Sequence, residues 1–263
     1  MIYLLKINKS KRRGLLARLF SRGISIYCER ISGAAFCTLS VYSERNIDWM
    51  RIASLMTKED TLTVQKGMKI PPDVRIQTPD GDRARRELLI HGATAVAEQT
   101  GAAGAKLHTL LIDRDAEYAD IIFRLVKACI AVTVFTENEG IYSAYAEKML
   151  NELGAAPVVI NDTRYAPECD IIIAPHGITG CGALPLPQMI FAPSGSDCVS
   201  VTDECIDPED IGTLDGFDIF ELYDAVTHDG SFTGNAPRLT HMKFRDGFLT
   251  VSELSHIFLI WYN

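Results

Sequence analysis

Between Leu107 and Ala174 the chain alternates short apolar runs with segments of helical period, and this alternation constrains the fold more than any other feature. Leu107 to Ile112 and Ile130 to Phe135 have strand length and are built from leucine and β-branched residues. The first run is followed by Tyr118, Ile121, Ile122, Leu125, Val126 and Cys129, spaced as one face of a helix. After the second, Tyr142, Tyr145, Ala146, Met149, Leu150 and Leu153 recur at three- and four-residue steps, and Gly154 stands where a helix-ending glycine belongs. Pro157 to Ile160 and Asp170 to Ala174 add two further strands. Continuous Val/Ile runs suit strands buried on both faces, and successive parallel strands need a crossover between them. The pattern predicts an α/β fold: a parallel sheet with helices on both faces.

The flanks divide the chain further. Residues 1–82 mix strand-like segments (Ile2 to Ile7, Ile24 to Cys28, Ala35 to Tyr42) with a helix from Ile47 to Met56, and end in a proline-bearing stretch from Pro71 to Pro79. They predict a smaller N-terminal α+β domain. Residues 83–104 predict an amphipathic connecting helix (Leu88, Leu89, Val96, Ala97), closed by the small-residue hinge Gly101-Ala-Ala-Gly104. Residues 105–240 are assigned to the parallel α/β domain. Residues 241–263 are assigned to a hairpin around Asp246-Gly247 and a last helix capped by Ser252.

Charge and cysteine usage exclude several classes. The net charge of −8 divides unevenly, with 17 basic and 10 acidic residues in 1–100 against 9 and 24 in 101–263, which implies two bodies of opposite sign. Residues 165–237 hold no lysine or arginine but thirteen acids, so side chains there would not hold an anion. A solvated acidic face is the first expectation, and docking on the basic N-terminal body or on a partner the second. Seven cysteines without a CxxC pair suggest neither a zinc site nor a disulfide framework, and most are expected to be buried thiols in a reducing compartment. The apolar run at the N-terminus is interrupted by Lys6, and no stretch reaches the ~20 apolar residues that span a bilayer. A soluble, cytoplasmic protein is expected. Lys9, Lys11, Arg12, Arg13, Arg18 and Arg22, interleaved with Leu15, Leu16, Leu19 and Phe20, fit a basic amphipathic helix. Neither a stacking-aromatic nor a DNA-reading motif accompanies it, so nucleic acid is not the expected partner.

Val132-Thr-Val-Phe-Thr-Glu-Asn138 and Asp170-Ile-Ile-Ile-Ala-Pro-His-Gly177 are similar to the second and fourth strands of the Rossmann-type NAD(P)-binding domain. Over residues 105–192 the chain resembles shikimate dehydrogenase-like proteins, in which a small domain precedes the nucleotide domain. The resemblance implies that the first segment ends at an adenosine ribose and the second leads to the nicotinamide end. One departure bears on chemistry. The family's first strand runs into GxGxxG, whose glycines let backbone approach a diphosphate at a helix N-terminus. With Ile112 ending the strand, those positions hold Asp113, Asp115 and Tyr118. Side chains block the approach, and Asp113, Asp115 and Glu117 repel a diphosphate against the single Arg114. NAD(P) in its usual pose is disfavoured, and the cofactor is left open.

Carboxyl ends of parallel strands are where open α/β sheets bind ligands. Asp113, Asp115, Thr136, Glu137, Asn138, Asn161, Asp162, His176 and Gly177 fall there, and Thr179 and Gly180 follow in the loop Pro175-His-Gly-Ile-Thr-Gly-Cys-Gly182. That loop lacks the lysine of a P-loop, but it could line a pocket with His176 as an acid–base group and Cys181 as a thiol. The competing roles are helix capping for Asp113, Asp115 and Asn138, and a tight turn with a satisfied histidine.

Three function classes follow. The first is a Rossmann-like protein that binds a small ligand or a protein partner without dehydrogenase activity. The second is an NAD(P)-dependent oxidoreductase with an altered nucleotide pose, in which Glu137 meets the ribose. The third is a Mg²⁺-dependent phosphohydrolase, since Asp113-Arg-Asp115 with Thr136 is similar to haloacid-dehalogenase motifs. A helix starting directly after the strand would leave that family's flap no room, and no dedicated metal site is expected. No lysine–aspartate pair of the shikimate type is assignable in residues 1–82. A homo-oligomer is compatible with the sequence.

Overall fold

The computed structural model describes residues 1–7, 24–41, 47–181, 184 and 187–262. The strands are β1 (Ile2–Ile7), β2 (Ser25–Ile31), β3 (Ala34–Val41), β4 (Thr61–Val64), β5 (His108–Ile112), β6 (Ala131–Phe135), β7 (Val158–Ile160) and β8 (Ile171–Ile173). They continue as β9 (Met189–Phe191), β10 (Cys198–Ser200), β11 (Ile206–Asp207), β12 (Arg238–Leu239), β13 (Met242–Phe244) and β14 (Gly247–Leu249). The helices are α1 (Trp49–Ser54), α2 (Gly81–Ala102), α3 (Ile122–Ala128), α4 (Glu139–Leu153), α5 (Ile219–His228) and α6 (Val251–Tyr262). The basic segment 9–22 lies outside the described residues.

The chain divides into two compact units, Met1–Ala84 with Ile206–Arg238 and Arg85–Cys205 with Leu239–Asn263. The division falls inside α2 rather than at Gly101–Gly104, and residues 206–238, read from sequence as part of the central domain, return to the first unit.

The first unit is a four-stranded sheet of order β2-β3-β1-β4, with β1 parallel to β3 and β4 and β2 antiparallel to β3. The two-residue period of β1 and β3 builds a core on each face. Ile2, Leu4, Ala34 and Phe36 pack with Phe217, Leu222, Ala225 and Val226, so the apolar side of α5 covers one face. Leu5, Leu39, Val41 and Leu62 pack with Ile52 of α1 and with Met68 on the other. This double burial is why residues 206–238 return: without α5, Ile2, Leu4 and Phe36 would lose their cover.

The expected absence of disulfides is corrected here. Cys28 and Cys37 stand directly opposite each other in the β2–β3 ladder and form a disulfide. The other cysteines, at 129, 169, 181, 198 and 205, are buried free thiols.

The acidic stretch is also more than a solvated face. Asp218 caps α5 through the N–H groups of Phe220 and Glu221. Asp224 accepts from Arg83 Nη2 at 2.7 Å and from Asp80 N at 2.9 Å, while Asp210 accepts from Ser32 Oγ and Asn235 N. With residues 206–238 included, the first unit carries 16 basic and 16 acidic residues and the second 10 and 18. The two bodies of opposite sign do not exist; one unit is neutral and the other is acidic.

The second unit is an eight-stranded sheet of order β14-β13-β10-β9-β8-β5-β6-β7. Strands β5 to β10 are mutually parallel and β13–β14 is an antiparallel hairpin at the edge. Counted from β5, the parallel strands lie in the order 3-2-1-4-5-6, the doubly wound Rossmann order, which reverses between β5 and β8. The fold is therefore Rossmann-like α/β, its parallel sheet flanked by helices. Leu110, Ile112, Phe135, Ile172, Ala174 and Ala192 share a core with the thiols of Cys169, Cys181 and Cys198. Burial pushes the Cys169 thiol up to about 11, and the nearby Asp170 charge adds to the shift.

Three local readings differ. After β5 the chain makes turns over residues 113–118, then a short 3₁₀ segment (Ala119–Ile121) before α3, so the helix does not start directly after the strand. Helix α4 buries Tyr142 and Met149, whereas Tyr145 and Leu150 of its apolar pattern are exposed. Thr250 rather than Ser252 caps α6: its Oγ1 accepts from Glu253 N while Glu253 Oε2 accepts from Thr250 N, a reciprocal capping box. Gly154 ends α4 in the left-handed region at φ 69°, as its position predicted. No helix among the described residues is long and apolar enough to cross a membrane.

Candidate functional site

The reversal between β5 and β8 brings the turn after β5, the start of α4 after β6 and the loop after β8 to one edge of the sheet. Asp113 follows the last residue of β5 and is fully buried. Its Oδ1 accepts from Glu117 N at 3.1 Å, and its Oδ2 accepts from Tyr118 N at 2.9 Å and from Tyr142 Oη at 2.6 Å. A buried carboxylate is tolerated only with such donors around it. Burial, with the Asp113 charge beside it, pushes the Tyr142 phenol well above its ordinary value and keeps it a proton donor.

These contacts engage backbone N–H groups of the turn between β5 and the first helix after it. In a nucleotide-binding turn, backbone N–H groups at the start of the first helix point at the anion. Here the N–H groups of Glu117 and Tyr118 are satisfied by the chain's own carboxylate. Asp113 thus takes up two backbone donors of the turn that follows β5.

Arg114 ties the three segments together. Its carbonyl accepts from Glu137 N at 2.9 Å and from Thr136 Oγ1 at 3.0 Å, fixing the end of β6. Its guanidinium crosses to the loop after β8, donating to the Thr179 carbonyl at 3.2 Å and to Cys181 Sγ at 3.5 Å. A Cβ on Gly180 would lie 3.3 Å from Arg114 Nη2, and Gly180 sits at φ 77°, so glycine serves both the turn and the close approach. Gly177, at φ 84°, donates its N–H to the Ala174 carbonyl and turns the chain off β8.

The residues singled out from sequence thus divide. Thr136 is fully buried and structural, its hydroxyl also accepting from Asn138 N. Asn138 does not cap α4 with its side chain; its amide donates to the Asp115 carbonyl at 3.2 Å. The side chains of Asp115 and Glu137 are exposed, so Asp113 and Asp115 do not converge on a common point. Asp162 caps the short turn that follows it through Arg164 N, and Asn161 donates to Glu139 Oε1 at 2.5 Å. His176 Nε2 lies 3.3 Å from Glu117 Oε2, and its ring centroid is 6.0 Å from that of Tyr118. Burial pushes the Tyr118 phenol up to about 12 although Arg86 donates to its oxygen. Arg114, Glu117 and Tyr142 were missed as partners, because nothing in linear spacing says which tyrosine of a later helix reaches a strand-end aspartate.

No known protein family matches the sequence, and no curated protein does. Among solved structures, L-tryptophan dehydrogenase from Nostoc punctiforme is similar over 75% of this chain, with 13% identity and a TM-score of 0.32; the chain spans 62% of that protein's length. Quinate dehydrogenase from Corynebacterium glutamicum, in complex with NAD, is similar over 98% of each chain with 14% identity and a TM-score of 0.30. Likeness at this level assigns neither substrate nor cofactor, and the strand order stands as the ground for the fold.

Proposed function

We propose that this is a Rossmann-like protein that binds a small, phosphate-free ligand at the carboxyl ends of β5, β6 and β8, without dinucleotide-dependent dehydrogenase activity. The observation that carries the reading is Asp113: its carboxylate takes the Glu117 and Tyr118 N–H groups on which a diphosphate depends. Among the exposed side chains at this edge are Asp115, Glu117, Glu137, Asn138 and His176, while the Arg114 guanidinium is engaged with Thr179 and Cys181. Such a surface favours a cation or a hydroxyl-rich neutral molecule over an anion. Thermal shift with NAD, NADP, ADP, adenosine and a polyamine tests it, since a ligand at a hundred times its Kd stabilises by about 2.7 kcal/mol. Saturable stabilisation by adenosine or the polyamine, with none by NAD, NADP or ADP, is expected. Saturable stabilisation by NAD or NADP would overturn the reading.

A second reading keeps one supporting observation. Glu137 is exposed at the end of β6, where a ribose would lie, so an oxidoreductase that holds its nucleotide by the adenosine end alone remains compatible with the geometry. The phosphohydrolase reading has no such support. Both Asp113 oxygens are engaged in hydrogen bonds, and no group of three or more potential metal ligands occurs among the described residues.

A further inference from the structure

We propose that the first unit carries a separate binding site for a small amphipathic anion, a carboxylate or phosphate head on a compact apolar body, in the cavity beside the end of α1. The open cavity has a volume of about 500 Å³, within the range of small-molecule sites. Ala53, Met56 and Ile76 line it with apolar surface, and Lys58 and Arg75 line it with positive charge. Met56 and Ile76 belong to the rim of the core beneath, so the apolar floor is fixed by packing. The walls are pinned as well. Thr57 N and Oγ1 donate to Asp60 Oδ2, Gln77 O accepts from Leu62 N of β4, and Leu55 O at the end of α1 accepts from Tyr3 Oη.

The charge balance selects the ligand. Neither Lys58 nor Arg75 makes a hydrogen bond or ion pair among the described residues. The one carboxylate built into the adjoining turn, Asp60, is already paired with the Met1 ammonium at 3.1 Å. Glu59 and Asp73, near the two cations in sequence, do not line the cavity. Two uncompensated cations above an apolar floor fit an anionic head that takes a forked contact from arginine and a point contact from lysine. The floor adds affinity for an apolar body that a bare inorganic ion lacks.

The test is titration of the full chain with benzoate and phenyl phosphate, with benzamide and inorganic phosphate as controls, read by calorimetry and by amide chemical shifts of residues 53–58 and 75–77. Saturable binding of benzoate or phenyl phosphate is expected, with the tighter of the two naming the head group and both controls about tenfold weaker or more. Arg75→Gln and Lys58→Gln should each weaken binding about five- to tenfold, and both side chains are exposed, so the melting temperature should not move. Equal binding of benzamide or of inorganic phosphate, indifference to both substitutions, or no saturable binding up to about ten millimolar overturns the proposal.

Discussion

Replacing Asp113 separates the role of a built-in anion from that of an exposed catalytic carboxylate. Asp113→Ala leaves Glu117 N, Tyr118 N and Tyr142 Oη without their acceptor, the last two in a buried place. An unsatisfied buried donor costs ~1–3 kcal/mol. Glu117 N is only part-buried and can be rescued by water, so two donors carry the penalty. Relief from burying the carboxylate itself offsets a part, which leaves an expected loss of ~1–4 kcal/mol out of the ~5–15 that a domain has. Asp113→Asn should cost less. An amide oxygen in the Oδ2 position keeps Tyr118 N and Tyr142 Oη, and only Glu117 N meets an opposing donor, about 1–2 kcal/mol. Tyr142→Phe removes one bond to a charged group, about 1.5–3 kcal/mol, and should couple to Asp113→Ala in a double-mutant cycle. Urea unfolding with unchanged slopes is the assay. A loss below about 0.5 kcal/mol for Asp113→Ala, or strict additivity with Tyr142→Phe, would refute the assignment of Asp113 as a structural anion.

Three other outcomes follow from the same structure. Burial, with Asp218 adding to it, raises Glu221 from 4.5 to about 7, so the fold favours its protonated form; that contribution is complete below pH 4.5 and is lost as the pH rises through 7. Because Glu221 is only half-buried, Glu221→Gln should stabilise by no more than about 1 kcal/mol at pH 8 and by nothing at pH 4, and a pH-independent effect in urea melts would count against the cause. A Cβ on Gly101 would lie 2.3 Å from the Ala128 carbonyl oxygen, so Gly101→Ala must push α2 from α3. The cost of ~1–3 kcal/mol should outweigh the helix-propensity gain of about 1, and a variant as stable as the parent would contradict the close contact. Reduction of Cys28–Cys37, whose partners are 9 residues apart, should destabilise the first unit by ~2–3 kcal/mol, and identical melts of the oxidised and reduced protein would deny the bridge a stabilising role.

The parallel sheet was legible because its signals are local. Short runs rich in leucine and β-branched residues mark parallel strands, and β5, β6, β7 and β8 all carry one. Strands β9 and β10 were not legible. No segment of helical period separates them, because the return through Gly195 at φ 138° is too short to leave one. The candidate site was legible in place but not in role. Topology puts Asp113, Glu137 and His176 at one sheet edge, yet Asp113 faces inward to Tyr142, 29 residues later, while Asp115 faces out. That difference arises in the turns of residues 113–118, where Ala116 takes φ 57°.

Sequence by itself determined the Rossmann-like class and which side chains follow its first parallel strand, because apolar runs, helical period and the residues at Asp113, Asp115 and Tyr118 are properties of neighbours along the chain. The tertiary structure decided where the acidic stretch belongs and which donors surround Asp113. Residues 206–238 cross back to cover Ile2, Leu4 and Phe36, and in doing so they bring the first unit to 16 charges of each sign. Apolar surface left on one face of a sheet is covered by whatever segment can bury it, however far along the chain, and the charges of that segment travel with it.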